Sequence, residues 1–356
     1  MDRRLLALPG LLVLVLTGCQ GESDDDPEEG PAAPSTSATT PATPTPTAGA
    51  PLLDAAALPT GEPPRLAYAF AEHPTFGGGD WRLVRLAGTT QPLGHYPGLF
   101  AVYEDRVVNG YGTEGGFIVE LLDGDLSPVA DLLKLCHFAL VTTPDRGLVA
   151  SLDDRGTLVE QYADGSVSTR PVRLPHGSCD DQDPVALNGP TLYVDGPKSP
   201  PMAVSGPGEP VPISTLRDLE DVSAGGNLVG RLADDPRCSG LLWEGAELRW
   251  RTCADRLLSF APDGRRVLGS VGNADYRSVV VHGLGNGRVE AQWTSVPRQW
   301  ITQIEWEDAA HLLAVVHNPA VGWSVVRLAV DGTAEYAVTP VRTGGGEFSP
   351  FRLQLS

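Results

Sequence analysis

The stretch Val326-Arg327-Leu328-Ala329-Val330-Asp331-Gly332-Thr333-Ala334-Glu335-Tyr336-Ala337-Val338 reads as two alternating strands hinged on an Asp-Gly turn. Six stretches share its plan: VRLAGTTQPL (84–93), VELLDGDLSPV (119–129), EQYADGSVSTRPV (160–172), MAVSGPGEPVPI (202–213), LLWEGAELRWRT (241–252) and VHGLGNGRVEAQW (281–293). Their turn glycines are Gly88, Gly124, Gly165, Gly206, Gly245, Gly287 and Gly332, spaced 36, 41, 41, 39, 42 and 45 residues apart. A repeat of ~40–45 residues is the period of a four-stranded propeller blade. The 292 residues from Arg65 to Ser356 divided by seven give about 42 per unit. The expected fold is therefore all-β, a seven-bladed β-propeller.

A second theme falls between these hairpins. Phe260-Ala261-Pro262-Asp263-Gly264 precedes the strand Arg265 to Ser270, and Thr143-Pro144-Asp145-Arg146-Gly147 precedes Leu148 to Ser151. Fainter copies are Leu187-Asn188-Gly189 and Trp306-Glu307-Asp308. Proline fixes φ and Asp-Gly supplies the tight turn between two inner strands. The motif resembles the F-S-P-D-G-x-x-L signature of TolB-type and WD40-like β-propellers, a resemblance that specifies fold more than family.

Ring closure is legible too. The chain enters at Leu66 to Phe70 as the second strand of a blade, and the missing first strand is supplied by 347–355 at the other end. Such closure removes an open sheet edge. A two-domain sandwich also has strands at short spacing, but does not explain seven matched glycines.

Ahead of the repeat, Arg3 and Arg4 precede an apolar run from Leu5 to Leu16 that ends in Leu16-Thr17-Gly18-Cys19. About twelve apolar residues suit a signal-peptide core better than a membrane span. The ending resembles a bacterial lipobox. That resemblance implies a signal peptide over 1–18, removed to leave Cys19 as a lipidated N-terminus carrying diacylglyceryl and palmitate-like chains; an ordinary secretory signal containing Cys is the alternative. Two or more acyl chains anchor stably where one does not. Residues 19–64 then read as a tether: from 20 to 64 there are ten prolines, ten Ser or Thr, eight acids and no Lys or Arg. Such a segment buries too little apolar surface to offset ordering. Within it, Leu52 to Leu58 is the one stretch suited to a helical turn packed on the domain edge. With Lys134 and Lys198 the only lysines, the arginine bias reads as GC-rich coding, and together with the Thr/Pro tether it looks actinobacterial.

The chain carries 45 acidic and 26 basic residues, net −19, which excludes a nucleic-acid binder relying on a basic footprint. Gly 41 and Pro 32 exclude a helical bundle.

Apart from Cys19, four cysteines remain, an even number that suits two disulfides outside the cytoplasm. A two-residue turn at Gly245-Ala246 would pair Trp243 with Leu248, Leu241 with Trp250 and Cys238 with Cys253. Cys136 and Cys179 hold matching places in adjacent repeats and form the second expected pair. No C-x-x-C is present to favour structural zinc.

Catalytic motifs are absent: no G-x-S-x-G, H-E-x-x-H, P-loop or Rossmann pattern stands in a suitable context. Asp180-Asp181-Gln182-Asp183 offers hard oxygens for calcium but lacks the spacing of an EF-hand, so a solvated loop is preferred. His137, His282, His311 and His317 share no spacing and read as satisfied core or surface histidines. Gly287 to Trp293 faintly resembles a quinoprotein repeat tail. No metal and no cofactor are expected.

In a four-stranded blade, the loops between strands two and three share a face with the blade-to-blade connections. The stretches His73 to Asp80, Tyr111 to Gly116, Asp195 to Pro201, Asp234 to Gly240 and His317 to Trp323 fall there and read as the more elaborate loops, with Tyr111, Trp300 and Trp323 as candidate contacts. The expectation is a monomeric, membrane-anchored propeller on the extracytoplasmic face, binding an envelope protein or small ligand as a scaffold. The alternative is an extracytoplasmic propeller enzyme of lyase, lactonase or quinoprotein type, its site assembled from single residues on different blades.

Overall fold

The computed structural model describes residues 51–355 except 76–77, 87, 94–95, 104–105, 114–115, 130–132, 136–138, 144–146, 163, 175–181, 207, 244–246, 272–275 and 344–347. The signal peptide, Cys19, Cys136, Cys179, Gly245 and most of the tether lie outside these residues.

Among the described residues, strands assemble into seven antiparallel sheets, each built on four consecutive positions. Blade 1 joins β29 (Phe351–Leu353) to β2 (Tyr68–Phe70), β3 (Arg82–Val84) and β4 (Thr90–Pro92). Blade 2 comprises β5 (Leu99–Tyr103), β6 (Arg106–Thr113), β7 (Gly116–Leu122) and β8 (Leu133–Leu135). Blade 3 comprises β9 (Val141–Thr142), β10 (Leu148–Leu152), β11 (Thr157–Tyr162) and β12 (Val167–Pro171). Blade 4 comprises β13 (Asp183–Asn188), β14 (Thr191–Gly196), β15 (Ser199–Ser205) and β16 (Val211–Pro212). Blade 5 comprises β17 (Leu216–Val222), β18 (Leu228–Leu232), β19 (Ser239–Trp243) and β20 (Glu247–Thr252). Blade 6 comprises β21 (Arg256–Phe260), β22 (Arg266–Val271), β23 (Ser278–Gly283) and β24 (Val289–Ser295), and blade 7 comprises β25 (Trp300–Asp308), β26 (His311–Asn318), β27 (Gly322–Ala329) and β28 (Ala334–Val341). Within each blade the first-named strand is a and the last d.

The seven hairpins read from the sequence are the c–d turns. Gly88, Gly165, Gly206, Gly287 and Gly332 take φ of 73°, 82°, 60°, 67° and 93°, a region open to glycine because it has no Cβ. The second copy departs from this plan: the left-handed position is Leu126, at φ 60°, rather than Gly124. Asp123 Oδ1 accepts from the backbone N–H groups of Asp125 and Ser127 at 3.0 and 2.9 Å and so shapes that longer turn. The Pro-Asp-Gly theme falls on a–b turns, as expected, with Gly264 at φ 66°. A further a–b turn, Ser223 to Asn227, lacks the proline; it is closed instead by Ser223 Oγ accepting from Asn227 N–H at 3.0 Å.

The C-terminal strand closes the ring. Phe351, Arg352 and Leu353 pair with Phe70, Ala69 and Tyr68. Leu355 N–H donates to Phe100 C=O in blade 2 at 2.8 Å, while the Gln303 amide of blade 7 grips both backbone groups of Leu353 at 2.9 and 3.0 Å. Phe351 and Leu353 are buried.

Chain ahead of Arg65 packs on the propeller, including the Leu52 to Leu58 stretch expected at its edge. Strand β1 (Leu52–Leu53) adds in parallel to the outer edge of β24 as a fifth strand of blade 6. A 3-10 turn, Ala55–Ala57, follows, capped by Asp54. Leu53 and Ala55 sink into a core shared by blades 6 and 7, with Trp293, Trp306, Leu312 and Val316. Burying one leucine contributes about 1.5–3 kcal/mol, enough for a Pro- and Ala-rich segment to hold a fixed path. The chain then passes blade 7: Gly61 N–H donates to Tyr336 C=O at 2.9 Å, and Arg327 takes the carbonyls of Glu62 and Pro63 at 2.9 and 2.8 Å. No helix among the described residues is long and apolar enough to cross a membrane.

Candidate binding face

Because strands alternate in direction, the b–c loops and the d–a connections share one end of the propeller. On that end the loops are plainer than the sequence suggested. Thr113 pairs with Gly116, Gly196 with Ser199 and Asn318 with Gly322, so three of the five stretches are tight turns. Their polar residues mark turn chemistry rather than loop length. The loop from Asp234 to Gly240 is longer. It is fixed by the Arg237–Asp235 ion pair and by the Cys238–Cys253 disulfide. Leu241 faces Trp250 as expected, but a bulge at Arg249 pairs Trp243 with Glu247 instead of Leu248.

A groove of about 560 Å³ lies on this end between blades 4 and 5. The turn Gly196 to Pro200 forms one wall; Ser214, Arg217, Asp218 and Ala233 form the other. Asp195 locks the two blades together, accepting from Gly196 N–H at 2.7 Å and from Leu219 N–H at 3.0 Å. Burial raises its pKa, and the two backbone donors partly oppose that shift. Asp218 is paired with Arg231. Arg217 is the extra residue of a β-bulge: Leu216 and Asp218 face the consecutive Leu232 and Arg231. A bulge re-aims its side chain, and Arg217 is exposed in the groove, as is Lys198. Behind the turn lies Gln182, 1% exposed, with its amide nitrogen 3.5 Å from Ser199 Oγ and its Oε1 without a partner among the described residues.

The aromatic candidates divide. Tyr111 and Trp323 are buried, so their rings serve packing; Trp300 is half-buried. Trp300, His317 and Trp323 form one row across the end of blade 7. His317 stacks on Trp300 with ring centroids 4.2 Å apart and meets Trp323 at 4.7 Å. Burial lowers the His317 pKa, which keeps the imidazole neutral.

The first strands of blades 5 and 6 carry charged side chains that meet across the blades. Arg256 of blade 6 donates to Glu220 Oε1 of blade 5 at 2.8 and 2.5 Å. Asp221 accepts from Phe260 N–H and Val222 N–H, both at 2.7 Å. It is enclosed by protein yet borders a cavity of about 40 Å³ with Thr142, Phe260 and Trp306. Desolvation raises its pKa to about 7 despite the two backbone donors.

His282 is the histidine whose role its spacing does not disclose. It is 1% exposed; Nε2 lies 2.8 Å from Asp255 Oδ2 and Nδ1 2.9 Å from Gly287 C=O. Thr252 Oγ1 donates to Asp255 Oδ1 at 2.8 Å. Both ring nitrogens thus face acceptors, which favours the imidazolium. Burial acts to lower the His282 pKa, but Asp255 outweighs it and the pKa is raised. Room for the pair comes from a missing side chain: a Cβ at Gly269 would collide with Asp255.

Among the described residues, two clusters have metal-ligand composition. Cys238 and Cys253, beside Asp235, are joined as a disulfide; Glu307, beside Asp308 and His311, is occupied by Arg327 and by Arg65 N–H. Neither set offers three free donors. Cys136, Cys179, His137, His176, Asp180 and Asp181 lie outside the described residues.

No protein-family model matches the chain, and no curated protein matches it. Among solved structures it is similar to the β-propeller domain of Cps50 (Swd1) from Myceliophteria thermophila, at 12% identity over 68% of this chain and 84% of that one, with a TM-score of 0.46. It is also similar to BamB from Moraxella catarrhalis, at 13% identity over 71% of this chain and 77% of that one, with a TM-score of 0.42. The likeness is one of fold and carries no role with it.

Proposed function

We propose that this chain is a lipid-tethered, extracytoplasmic β-propeller that binds a protein partner through the end bearing the b–c loops and d–a connections. The groove between blades 4 and 5 carries this reading: it is the site where unburied charge, a bulge-directed arginine and a ligand-sized recess coincide. Ligand sites commonly occupy about 300–1,000 Å³. Anchoring at Cys19 through an acyl-bearing tether would hold the ring near a membrane without a span. Photo-crosslinkers placed at Lys198 and at Arg265, an a–b turn on the opposite end, test the face on intact cells. Capture from 198 and not from 265 is expected; capture from neither, or equally from both, defeats the reading. Metabolic labelling with an acyl analogue, lost in Cys19→Ala, tests the anchor separately.

The enzymatic alternative has one supporting observation, the Asp221 carboxyl with a pKa of about 7, suited to general acid–base work at neutral pH. Its cavity of about 40 Å³ holds a water or two but no substrate, so binding is the preferred reading. Turnover that disappears in Asp221→Asn would reverse this order.

A further inference from the structure

We propose that the notch between the outer edges of blades 6 and 7 is a peptide-recognition site. Residues 51–57 fill it in cis, and an extended segment of a partner protein with the same pattern takes their place: a large aliphatic residue, an N-capping residue and a small residue in succession. The notch opens on the end read above as the binding surface, and the choice of a partner protein rests on that reading. Its first component is a sheet edge. Leu52 and Leu53 pair in parallel with Thr294 and Ser295, and the N–H groups of Thr294 and Val296 donate to the carbonyls of Pro51 and Leu53, both at 3.2 Å. Adding an extended segment to an open edge is a recurring mode of peptide recognition. Among the described residues, blade 6 is the one sheet with a fifth strand. The second component is a buried amide on the connection from blade 6 to blade 7. Gln299, 5% exposed, donates from Nε2 to Leu53 C=O at 2.8 Å and accepts at Oε1 from Ala55 N–H at 2.9 Å. It thereby grips the two backbone groups flanking Asp54 that a neighbouring strand would otherwise hold. Asn318, in the b–c turn of blade 7, donates to Gln299 Oε1 at 3.0 Å and to Asp54 Oδ1 at 3.3 Å. Arg298 precedes Gln299 at φ 68°, in a turn where Gln299 N–H donates to Val296 C=O at 3.1 Å. A left-handed residue other than glycine is strained, and such strain collects at ligand clamps.

Exposure along the segment states what the site reads. Leu53 and Ala55 are 1% and 0% exposed and enter the core shared by blades 6 and 7. Asp54 caps the turn, its Oδ1 accepting from Ala56 N–H at 3.0 Å. Leu52 is 70% exposed, and Ala56 and Ala57 are exposed too. The remaining recognition falls on the backbone, which any extended segment supplies. The four core strands of blade 6 and the closure by Phe351 to Leu353 are complete without 51–57, so the occupant can leave while the ring stays whole. One buried leucine shifts the docking equilibrium by about ten- to a hundredfold, and the cost of ordering the segment opposes it. A segment so held opens locally, without global unfolding. Being part of the same chain, it competes at an effective concentration of about millimolar. It therefore screens the notch from weak ligands and yields to tighter ones, while Gln299 and Asn318 need a backbone partner in either state.

The test is fluorescence polarisation of a labelled Pro-Leu-Leu-Asp-Ala-Ala-Ala-Leu peptide, the sequence of 51–58, against the full chain and two variants that free the notch. Leu53→Asp puts a carboxylate where the cis segment must bury an apolar group, and Ala55→Leu overfills its second pocket. Each variant should bind the peptide about tenfold or more tighter than the parent, because the cis competitor is released. A peptide with Asp in place of its second leucine should not bind. One with Lys in place of its first leucine should bind equally, since that position is exposed. In the Leu53→Asp chain, adding Gln299→Ala should weaken binding by about tenfold. Gln299→Glu, which sets a carboxylate against the peptide carbonyl, should weaken it at least as much. No gain in binding by either variant, equal binding of the Asp-substituted peptide, or indifference to both Gln299 changes overturns the inference. A parent chain that sediments as a dimer through exchanged 51–57 segments assigns the notch to a second copy and also overturns it. Crosslinking from position 198 that persists while the peptide fails retains the binding face and rejects only this site.

Discussion

Arg327 offers the sharpest test of how the N-terminal segment is held. Its guanidinium has five N–H donors, and five bonds are made. Nε donates to Glu307 Oε2 at 2.5 Å; the terminal nitrogens donate to Glu307 Oε1 at 2.9 Å, Glu335 Oε1 at 2.6 Å, Glu62 C=O at 2.9 Å and Pro63 C=O at 2.8 Å. Hydrogen bonding to Glu307 raises the Arg327 pKa further above its ordinary range. The Arg327 side chain is 6% exposed and that of Glu307 0%, whereas Glu335 is 36% exposed. Replacing Arg327 with Met keeps the stem's packing but strands the Glu307 charge, which costs about 3–5 kcal/mol. The Glu335 pair, partly solvated, adds at most about 1 kcal/mol. Urea unfolding of Arg327→Met should therefore show a loss of about 4 kcal/mol at unchanged m-value. Glu307→Gln in the same chain should recover part of the loss, because the stranded charge is then gone. Arg327→Lys keeps the charge but lacks the fork, so it should cost less while exposing 59–64 to proteolysis. A loss under about 1 kcal/mol for Arg327→Met, or a double variant no better than the single, would refute this account.

Deleting 349–356 removes the a strand of blade 1 and with it Phe351 and Leu353, each contributing about 1.5–3 kcal/mol by burial; a truncated chain melting with the parent would contradict closure. Reducing Cys238–Cys253, with a separation of 15 residues, should cost about 3 kcal/mol, readable as a lower midpoint in calorimetry with and without reductant. The His282–Asp255 pair makes stability depend on pH. A folded pKa above the ordinary 6.5 means its contribution is complete below pH 6.5 and fades as pH rises through the folded value. Asp221 acts in the same direction at lower pH: stability declines from about pH 4 to pH 7 as its unfolded form ionises first. The melting difference between parent and His282→Gln should accordingly shrink from about pH 6 to about pH 9; a constant difference would exclude an imidazolium at this position.

The repeat is legible because one structural requirement recurs. Each described c–d turn has a left-handed residue, and glycine meets that need at Gly88, Gly165, Gly206, Gly287 and Gly332. At Gly124 the same letters mark the right hairpin for a different local reason, since the special φ sits on Leu126 and Asp123 organises the turn. Closure is legible because a chain that opens on a b strand must find its a strand elsewhere. The docking of Leu53 is legible only as an edge-packed turn over Leu52 to Leu58: Pro, Ala and Thr dominate the rest of the segment, and its composition favours disorder. Two small apolar groups, Leu53 and Ala55, together with side chains of blades 6 and 7, reverse that preference.

Topology locates the binding face but not its residues, and the difference has a physical origin. Aromatic residues near loops look like contacts, yet Tyr111 and Trp323 sit on strands that bury them, Trp323 in the core shared by blades 7 and 1. Arg217 gives no signal in one dimension, because its exposure depends on a bulge that emerges only when Leu216 and Asp218 are matched against Leu232 and Arg231. Lys198 stands out as one of two lysines, but scarcity that reflects coding bias says nothing of the groove it lines. The same limit hides His282, whose partner Asp255 is 27 residues away and reachable only because Gly269 carries no side chain. In a propeller, strand register brings such distant residues together, so a site emerges from the alignment of neighbouring strands rather than from any local motif.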